Sequence, residues 1–227
     1  MKPELVPNAG RTEALGATVT PEGVNFAVYS ESATNIWVCL FDEADQEIER
    51  FELDVHQDHI RAGLIANIGP GTRYGLRADG PYDPDQGLFF DPNKLLVDPY
   101  ARHLDRVFVR SPRLRLGREE AVDTAPLVPK AIIRGEAEEK AKPRRKKAPN
   151  LFYELNVRGF TMRHPGVQGP LRGTVAALTT RRVIAHFKHL GVDTVQLMPI
   201  AAWIDEGHLP ALGLTNAWGY NPVAYFA

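Results

Sequence analysis

Apolar and polar residues alternate along residues 17–110 in short runs that are separated by turn residues. Period-two runs bounded by Gly, Pro, Asn and Ser are typical of antiparallel β-strands. We therefore predict an antiparallel β-domain, and the spacing of its runs suggests a β-sandwich. The predicted runs are Val24–Tyr29, Ile36–Phe41, Ile48–Val55, Gly63–Ile68 and Arg73–Arg77.

The hydrophobic pattern after residue 150 predicts a strand, a helix and a second, parallel strand. Leu151–Val157 and Thr194–Met198 are the strands, and Thr179 or Thr180 can cap a helix that Gly191 ends. This is the repeating unit of a (β/α) barrel, whose function lies in the loops after its strands. A doubly wound sheet fits the same unit but would carry a glycine-rich phosphate loop, which this turn lacks. The helix positions predicted to share one apolar face are Val183, Ile184, Phe187 and Leu190.

A charged, proline-bounded stretch separates these two patterns. Residues 135–150 hold almost no large apolar side chain, which is typical of an exposed linker. The basic cluster Pro143–Lys147 could touch nucleic acid or phosphate, but neighbouring glutamates weaken it, and we favour a solvated linker. The predicted domains are residues 1–134, the sandwich and its extension, the linker 135–150, and the barrel start 151–227.

Composition narrows the classes of partner. The 227 residues include 27 basic and 28 acidic side chains, so no overall field favours nucleic acid or an anionic membrane. Cys39 is the only cysteine, which excludes an internal disulfide, and its apolar strand indicates a buried thiol. No apolar run approaches the roughly 20 residues of a membrane span, so we expect a cytoplasmic protein. We expect no metal and no cofactor, because the histidines lack a metal-binding spacing.

Five short strings occur in one order along the chain and carry a family resemblance. Together they resemble the glycogen debranching enzymes of the isoamylase type, within the α-amylase superfamily. The resemblance covers about Gly16 to Ala227. It implies a carbohydrate-binding-like, immunoglobulin-like β-sandwich followed by the first βαβ part of a (β/α)8 TIM barrel that begins at Leu151. The strings are Gly80–Gly87, Asp91–Ala101, Tyr153–Gly159, Arg172–Thr174 and Trp218–Pro222.

The resemblance also implies an activity that this chain is not expected to perform alone. Such enzymes hydrolyse α-1,6 branch linkages of glycogen or limit dextrins with retention, using carboxylates from the fourth, fifth and seventh barrel strands. Residues 151–227 supply two strands of a barrel that takes about 250 residues. We therefore assign no catalytic residue and expect the carboxylates beyond Ala227. The acidic residues after Leu151 do not form an opposed acid and nucleophile pair; they are Glu154, Asp193, Asp205 and Glu206.

The resemblance places the best binding candidates near the end of the chain. Tyr220 would stack on a sugar ring at the cleavage subsite, and Trp218 and Asn221 would shape its loop. Core packing of the tyrosine is the alternative. Asn156 stands where many relatives have His, so that histidine's role is not carried over.

The expected partner is an α-glucan such as glycogen or limit dextrin. Nucleic acid and membrane are not expected as partners, and the oligomeric state is left open. A non-catalytic α-glucan-binding fragment is one alternative function. A branching or trehalose-releasing enzyme of the same superfamily is another.

Overall fold

The computed structural model describes residues 1–135 and 151–227. The predicted linker 135–150 therefore lies outside the described residues except for Gly135. Two compact units are present: the first lies within Met1–Glu138, Ala201–Thr215 and Asn221–Ala227, and the second within Glu139–Ile200 and Asn216–Tyr220. None of the helices described is both long and apolar enough to cross a membrane.

Short strands dominate the part of the chain that the structure describes. Its α-helices are α1 (Val157–Thr161) and α2 (Arg181–His189). In chain order the strands are β1 Glu4–Val6, β2 Gly16–Thr20, β3 Gly23–Tyr29, β4 Asn35–Phe41, β5 Glu47–Glu52, β6 Val55–Gln57, β7 Ile60–Ala66, β8 Arg73–Asp79, β9 Tyr82–Asp83, β10 Leu88–Phe89, β11 Ala131–Ile132, β12 Phe152–Leu155, β13 Thr194–Leu197, β14 Ala202–Trp203 and β15 Pro222–Ala224.

The first unit is built on two antiparallel sheets. One has the order β1-β7-β3-β2, with β6 also pairing with β7, and the other has the order β11-β8-β4-β5. Alternate side chains of both sheets enter one buried cluster, in which Phe26 of β3 meets Tyr74 of β8 edge to face at 5.1 Å. This arrangement is consistent with the predicted β-sandwich. Cys39 is fully buried as predicted, and burial raises the pKa of its thiol to about 12.

One predicted strand is divided between the two sheets. The run Ile48–Val55 was expected to form a single strand, but β5 ends at Glu52 in one sheet and β6 begins at Val55 in the other. Leu53 marks the crossing, because its buried side chain lies in the core and its N–H donates to the Ile36 carbonyl at 2.9 Å. Alternation along a run reports which face is buried but not a change of sheet, so the single-strand prediction was wrong.

The second unit contains the predicted strand, helix and parallel strand. β12 and β13 pair in parallel from Phe152 opposite Thr194 to Leu155 opposite Leu197. Val183 and Phe187 of α2 are buried, whereas Ile184 and Leu190 are exposed, so the buried face of the helix is narrower than predicted. One parallel pair is common to several α/β folds, and the barrel part of the predicted fold stays a prediction.

The end of the chain packs in the first unit. β14 and β15 pair with each other, and Ala224 is fully buried in the sandwich core. The Tyr225 N–H donates to the Pro99 carbonyl at 3.0 Å. Compact units and sequence domains are different divisions of a chain, so the ranges 1–134 and 151–227 stay a prediction.

Candidate functional site

The second unit presents two aromatic side chains on a tight turn, Asn216–Tyr220. The Asn216 Oδ1 accepts the N–H groups of Trp218 at 3.1 Å and of Gly219 at 2.9 Å, and its Nδ2 donates to the Tyr220 carbonyl. Gly219 has φ +81°, and a Cβ there would lie 2.5 Å from the Pro199 carbonyl oxygen. The turn leaves Trp218 65% and Tyr220 52% exposed. The predicted aromatics are therefore surface groups, not core residues.

Asn156 connects this turn to the carboxyl end of β12. Its Oδ1 accepts the Gly159 N–H at 2.8 Å and caps α1, while its Nδ2 donates to the Ala217 carbonyl at 3.2 Å. Pro199, which Gly219 approaches, follows β13. The aromatic turn thus lies at the carboxyl ends of both parallel strands, which is the side on which parallel α/β folds bind ligands.

Asn221 has a different position from its two predicted companions. It belongs to the first unit, adopts φ +88°, and donates from Nδ2 to the Ile204 carbonyl at 3.1 Å. Its own carbonyl accepts the Ile204 N–H at 3.2 Å, next to the β14–β15 pair. Asparagine tolerates positive φ better than most residues, so the geometry gives it a conformational role. Sugar contact by Asn221 stays a prediction.

The acidic residues considered from sequence make contacts within their own units. Glu154 is exposed on β12, and the Gln196 Nε2 lies 3.5 Å from its Oε1. The carbonyl of Asp205 accepts a hydrogen bond from Arg110 at 3.0 Å.

A buried arginine organises another pair of carboxylates in the first unit. Arg77, 2% exposed, contacts Glu47 at 2.9 Å and Asp123 at 2.8 Å. Burial alone would raise the pKa of both acids, but hydrogen bonds and nearby guanidinium groups hold the pKa of Glu47 below 4.5 and that of Asp123 below 3.8. Both carboxylates stay ionised at neutral pH, so neither acts as a proton donor there.

Sequence reasoning missed an aromatic cleft of about 570 Å³ on the first unit. Tyr100 and Phe226 stack there at 5.6 Å, and Tyr29 and Tyr225 also line it. Asp98, at its base, accepts hydrogen bonds from the Tyr74 hydroxyl at 2.7 Å and the Tyr100 N–H at 2.8 Å. The string Asp91–Ala101 contains Asp98 and Tyr100 of this cleft, but its local sequence pattern does not show that they share a cleft.

Burial raises the pKa of two acidic groups at the base of the aromatic cleft. It raises the pKa of Asp98 above 3.8, and it raises the pKa of the Tyr74 phenol well above 10. The Tyr74 hydroxyl therefore keeps its proton and donates a hydrogen bond to Asp98. This hydrogen bond joins the cleft to the sandwich core, because Tyr74 is also a core residue.

Comparison with known proteins shows that the sandwich is similar to a known family of modules. Residues 14–101 match carbohydrate-binding module 48, the isoamylase N-terminal domain. Glycogen debranching enzymes of Erwinia tasmaniensis and Serratia proteamaculans are 39% and 41% identical over 96% and 99% of this chain. The chain spans about a third of their length, 34% in each case. The resemblance to glycogen debranching enzymes is confirmed.

Solved structures share the fold at lower identity. A pullulanase from Paenibacillus barengoltzii in complex with maltohexaose and α-cyclodextrin is 22% identical with a TM-score of 0.64, over 95% of this chain and 32% of that one. A pullulanase from Anoxybacillus sp. in complex with maltotetraose is also 22% identical, with a TM-score of 0.62 over 96% of this chain and 30% of that one.

Proposed function

We propose that this chain acts on α-glucans as the amino-terminal portion of a glycoside hydrolase that cleaves α-1,6 branch linkages of glycogen or its limit dextrins. In this proposal the sandwich supports the start of a (β/α)8 barrel. The reaction retains configuration, and the catalytic carboxylates come from residues beyond Ala227. The names of the curated relatives and the module match support the substrate class.

The observation that carries this proposal is the exposed pair Trp218 and Tyr220 at the carboxyl ends of β12 and β13. An aromatic ring matches the apolar C–H face of a pyranose and excludes water from it, while the tyrosine hydroxyl stays free for a polar contact. The hydrogen bonds from Asn216 and Asn156 fix the turn before a ligand arrives, which reduces the entropy lost on binding.

Titration of the chain with maltotetraose tests the aromatic turn. We expect Trp218→Ala or Tyr220→Ala to weaken binding about tenfold, the loss that follows from about 1.4 kcal/mol of stacking and buried area. Phe152→Ala is the matched control, because Phe152 is an equally exposed aromatic of β12 that lies at the amino end of the strand. Equal losses in all three variants, or none in the first two, would contradict the proposed role of the turn.

The binding-fragment alternative rests on the module match and the aromatic cleft of the first unit. An assay for linear maltooligosaccharides released from limit dextrin separates the two functions. We expect no release by the 227-residue chain, and release by a longer product of the same gene. Release by the 227-residue chain would place the catalytic carboxylates inside it, contrary to the proposal.

A further inference from the structure

Two of the five family strings converge on one cleft of the first unit. Gly80–Gly87 and the adjoining residues form the hairpin β9–β10, and Asp91–Ala101 follows it directly. Residues of both segments line a cleft of about 680 Å³, within the size range of small-molecule sites. The residues that line this cleft include none of the aromatic turn and none of the aromatic cleft described above.

The cleft has two polar groups whose hydrogen-bonding capacity is unmet. Asp91, only 5% exposed, uses its Oδ1 to accept the Asn93 N–H at 2.9 Å and the Asn93 Nδ2 at 3.0 Å. Its Oδ2 and the Lys94 Nζ are both buried, and neither has a hydrogen-bond partner among the described residues. Leaving buried charged groups unsatisfied costs free energy, so such atoms in a cleft indicate where a ligand completes the set.

An aromatic wall stands beside these polar groups. Tyr82 and Phe89 lie directly opposite each other on β9 and β10, and both line the cleft with exposed ring surface. Arg118 fixes the base of this hairpin, because its guanidinium donates to the carbonyls of Gly80 and Phe90, each at 3.2 Å. The charge of Arg118 is matched by Asp79 at 2.9 Å. The wall is therefore held in place without a ligand.

The chemistry of this pair selects the class of ligand. The Asp91 Oδ2 needs a donor, and the Lys94 Nζ needs an acceptor. A sugar hydroxyl can be either, so a polyhydroxy ligand carries both kinds of group. Phosphate would face the Asp91 carboxylate, and a metal cation would face the Lys94 ammonium, so each is disfavoured by like charge.

We propose that this cleft is a second α-glucan-binding site, in which Asp91 and Lys94 hydrogen-bond one glucosyl unit and Tyr82 and Phe89 pack against it. The choice of glucan rests on the proposed function, whereas the preference for a neutral polyhydroxy ligand rests on the cleft alone. The site would hold a branch or chain of the substrate on the first unit.

Nuclear magnetic resonance titration of the 227-residue chain with maltotetraose tests this site residue by residue. We expect shifts of the amides of Lys94, Leu95 and Gly117. Lys94→Met should reduce affinity at these amides at least tenfold while leaving the thermal midpoint equal or higher, because it removes a buried charge that lacks a partner. Lys2→Met is the matched control, since it removes the same charge from an exposed residue outside the cleft.

Asp91→Asn provides a second variant, because it keeps an oxygen for the Asn93 N–H and loses only the anionic acceptor. Weakened cleft binding in both variants, with shifts at residues 216–220 unchanged, supports the second site. Shifts confined to residues 216–220 would overturn it and leave the proposed function standing. Cleft shifts with none at 216–220 would support it and contradict the role of the aromatic turn. Shifts with inorganic phosphate and none with maltotetraose would overturn the glucan assignment.

Discussion

The two compact units differ in the size of their cores and in how many strands their sheets contain. The first unit buries side chains from both of its sheets in one core, and it matches buried Arg77 with two carboxylates. The second unit has a small core, and β12 and β13 pair only with each other among the described residues. Both units expose large apolar side chains, among them Val107 and Val109 in the first and Phe152 and Ile200 in the second.

This difference indicates what each unit can do alone. A sandwich with paired sheets and a shared core can be stable by itself, whereas a two-stranded sheet is marginal without further packing. The small core of the second unit includes Phe187, which packs against Tyr153 and Phe160 at ring distances of 5.7 and 5.3 Å. The unit that presents the aromatic turn is therefore also the less self-sufficient one.

Amide hydrogen exchange should show the largest contrast between the units. We expect amides of β4 and β8 to exchange only through global opening of the sandwich, and amides of β12 and β13 to exchange at least a hundredfold faster. Mass spectrometry of the intact 227-residue chain after exchange and digestion measures both sets in one sample. Equal protection of the two strand pairs would show that the second unit is as stable as the sandwich.

Truncation of one core aromatic in each unit should separate their unfolding. Phe26→Ala removes a fully buried ring that contacts Tyr74 and should lower the free energy of unfolding of the sandwich by about 3–5 kcal/mol. Phe187→Ala should lower only the stability of the second unit. Tyr29→Ala on the same β3 strand is the control and should cost less than about 0.5 kcal/mol, because Tyr29 is exposed. Denaturant unfolding followed by near-ultraviolet circular dichroism measures these changes; a single shared transition in every variant would contradict two separate units.

Acid should destabilise the first unit by protonating the two carboxylates that pair with Arg77. The lowered pKa values of Glu47 and Asp123 mean that their ionised forms stabilise the fold above about pH 4.5, and this stability is lost as the pH falls through the lowered values. Arg77→Met should cost about 1–3 kcal/mol at pH 7. It should reduce but not abolish the loss between pH 5 and 3, because Arg50 still pairs with Glu47 and the Ala125 N–H still donates to Asp123. Burial raises the pKa of Asp98, so protonation of Asp98 stabilises the fold as the pH falls. This contribution is the same in the variant and the original protein, so it cancels from the difference between their stabilities. Unfolding free energies at several pH values test this; parallel curves for the two proteins would exclude the ion-pair contribution.

Much of the fold follows from local pattern, and the errors have a common physical cause. The strands β3, β4 and β8 and the unit of β12, α2 and β13 were predicted because alternation and helical period report buried faces. The division of Ile48–Val55 and the packing of β15 in the first unit were not predicted. Both depend on contacts between residues distant in sequence, which no local period records.

The candidate site was predictable to the same extent. The resemblance identified Trp218 and Tyr220, and the structure shows both on an exposed turn. The support from Asn156 was not foreseen, because an asparagine in place of the family's histidine gave no sign of its two partners. Asp91 and Lys94 lie in the string Asp91–Ala101, but only the burial of their unpartnered atoms distinguishes them from surface charges.

The smallest expected effect separates the two hydrogen bonds of Asn156. Asn156→Asp keeps an acceptor for the Gly159 N–H and removes the donor to the Ala217 carbonyl, whereas Asn156→Ala removes both. Loss of the cap should cost the alanine variant about 1 kcal/mol in the second unit, and the aspartate variant should retain most of that stability. Both variants should loosen the aromatic turn, because neither can donate to Ala217. Trp218 fluorescence anisotropy reports the looser turn, and thermal unfolding reports the cap. An aspartate variant with an unchanged turn would show that Asn216 alone holds the aromatics, so that the second unit presents them independently of β12.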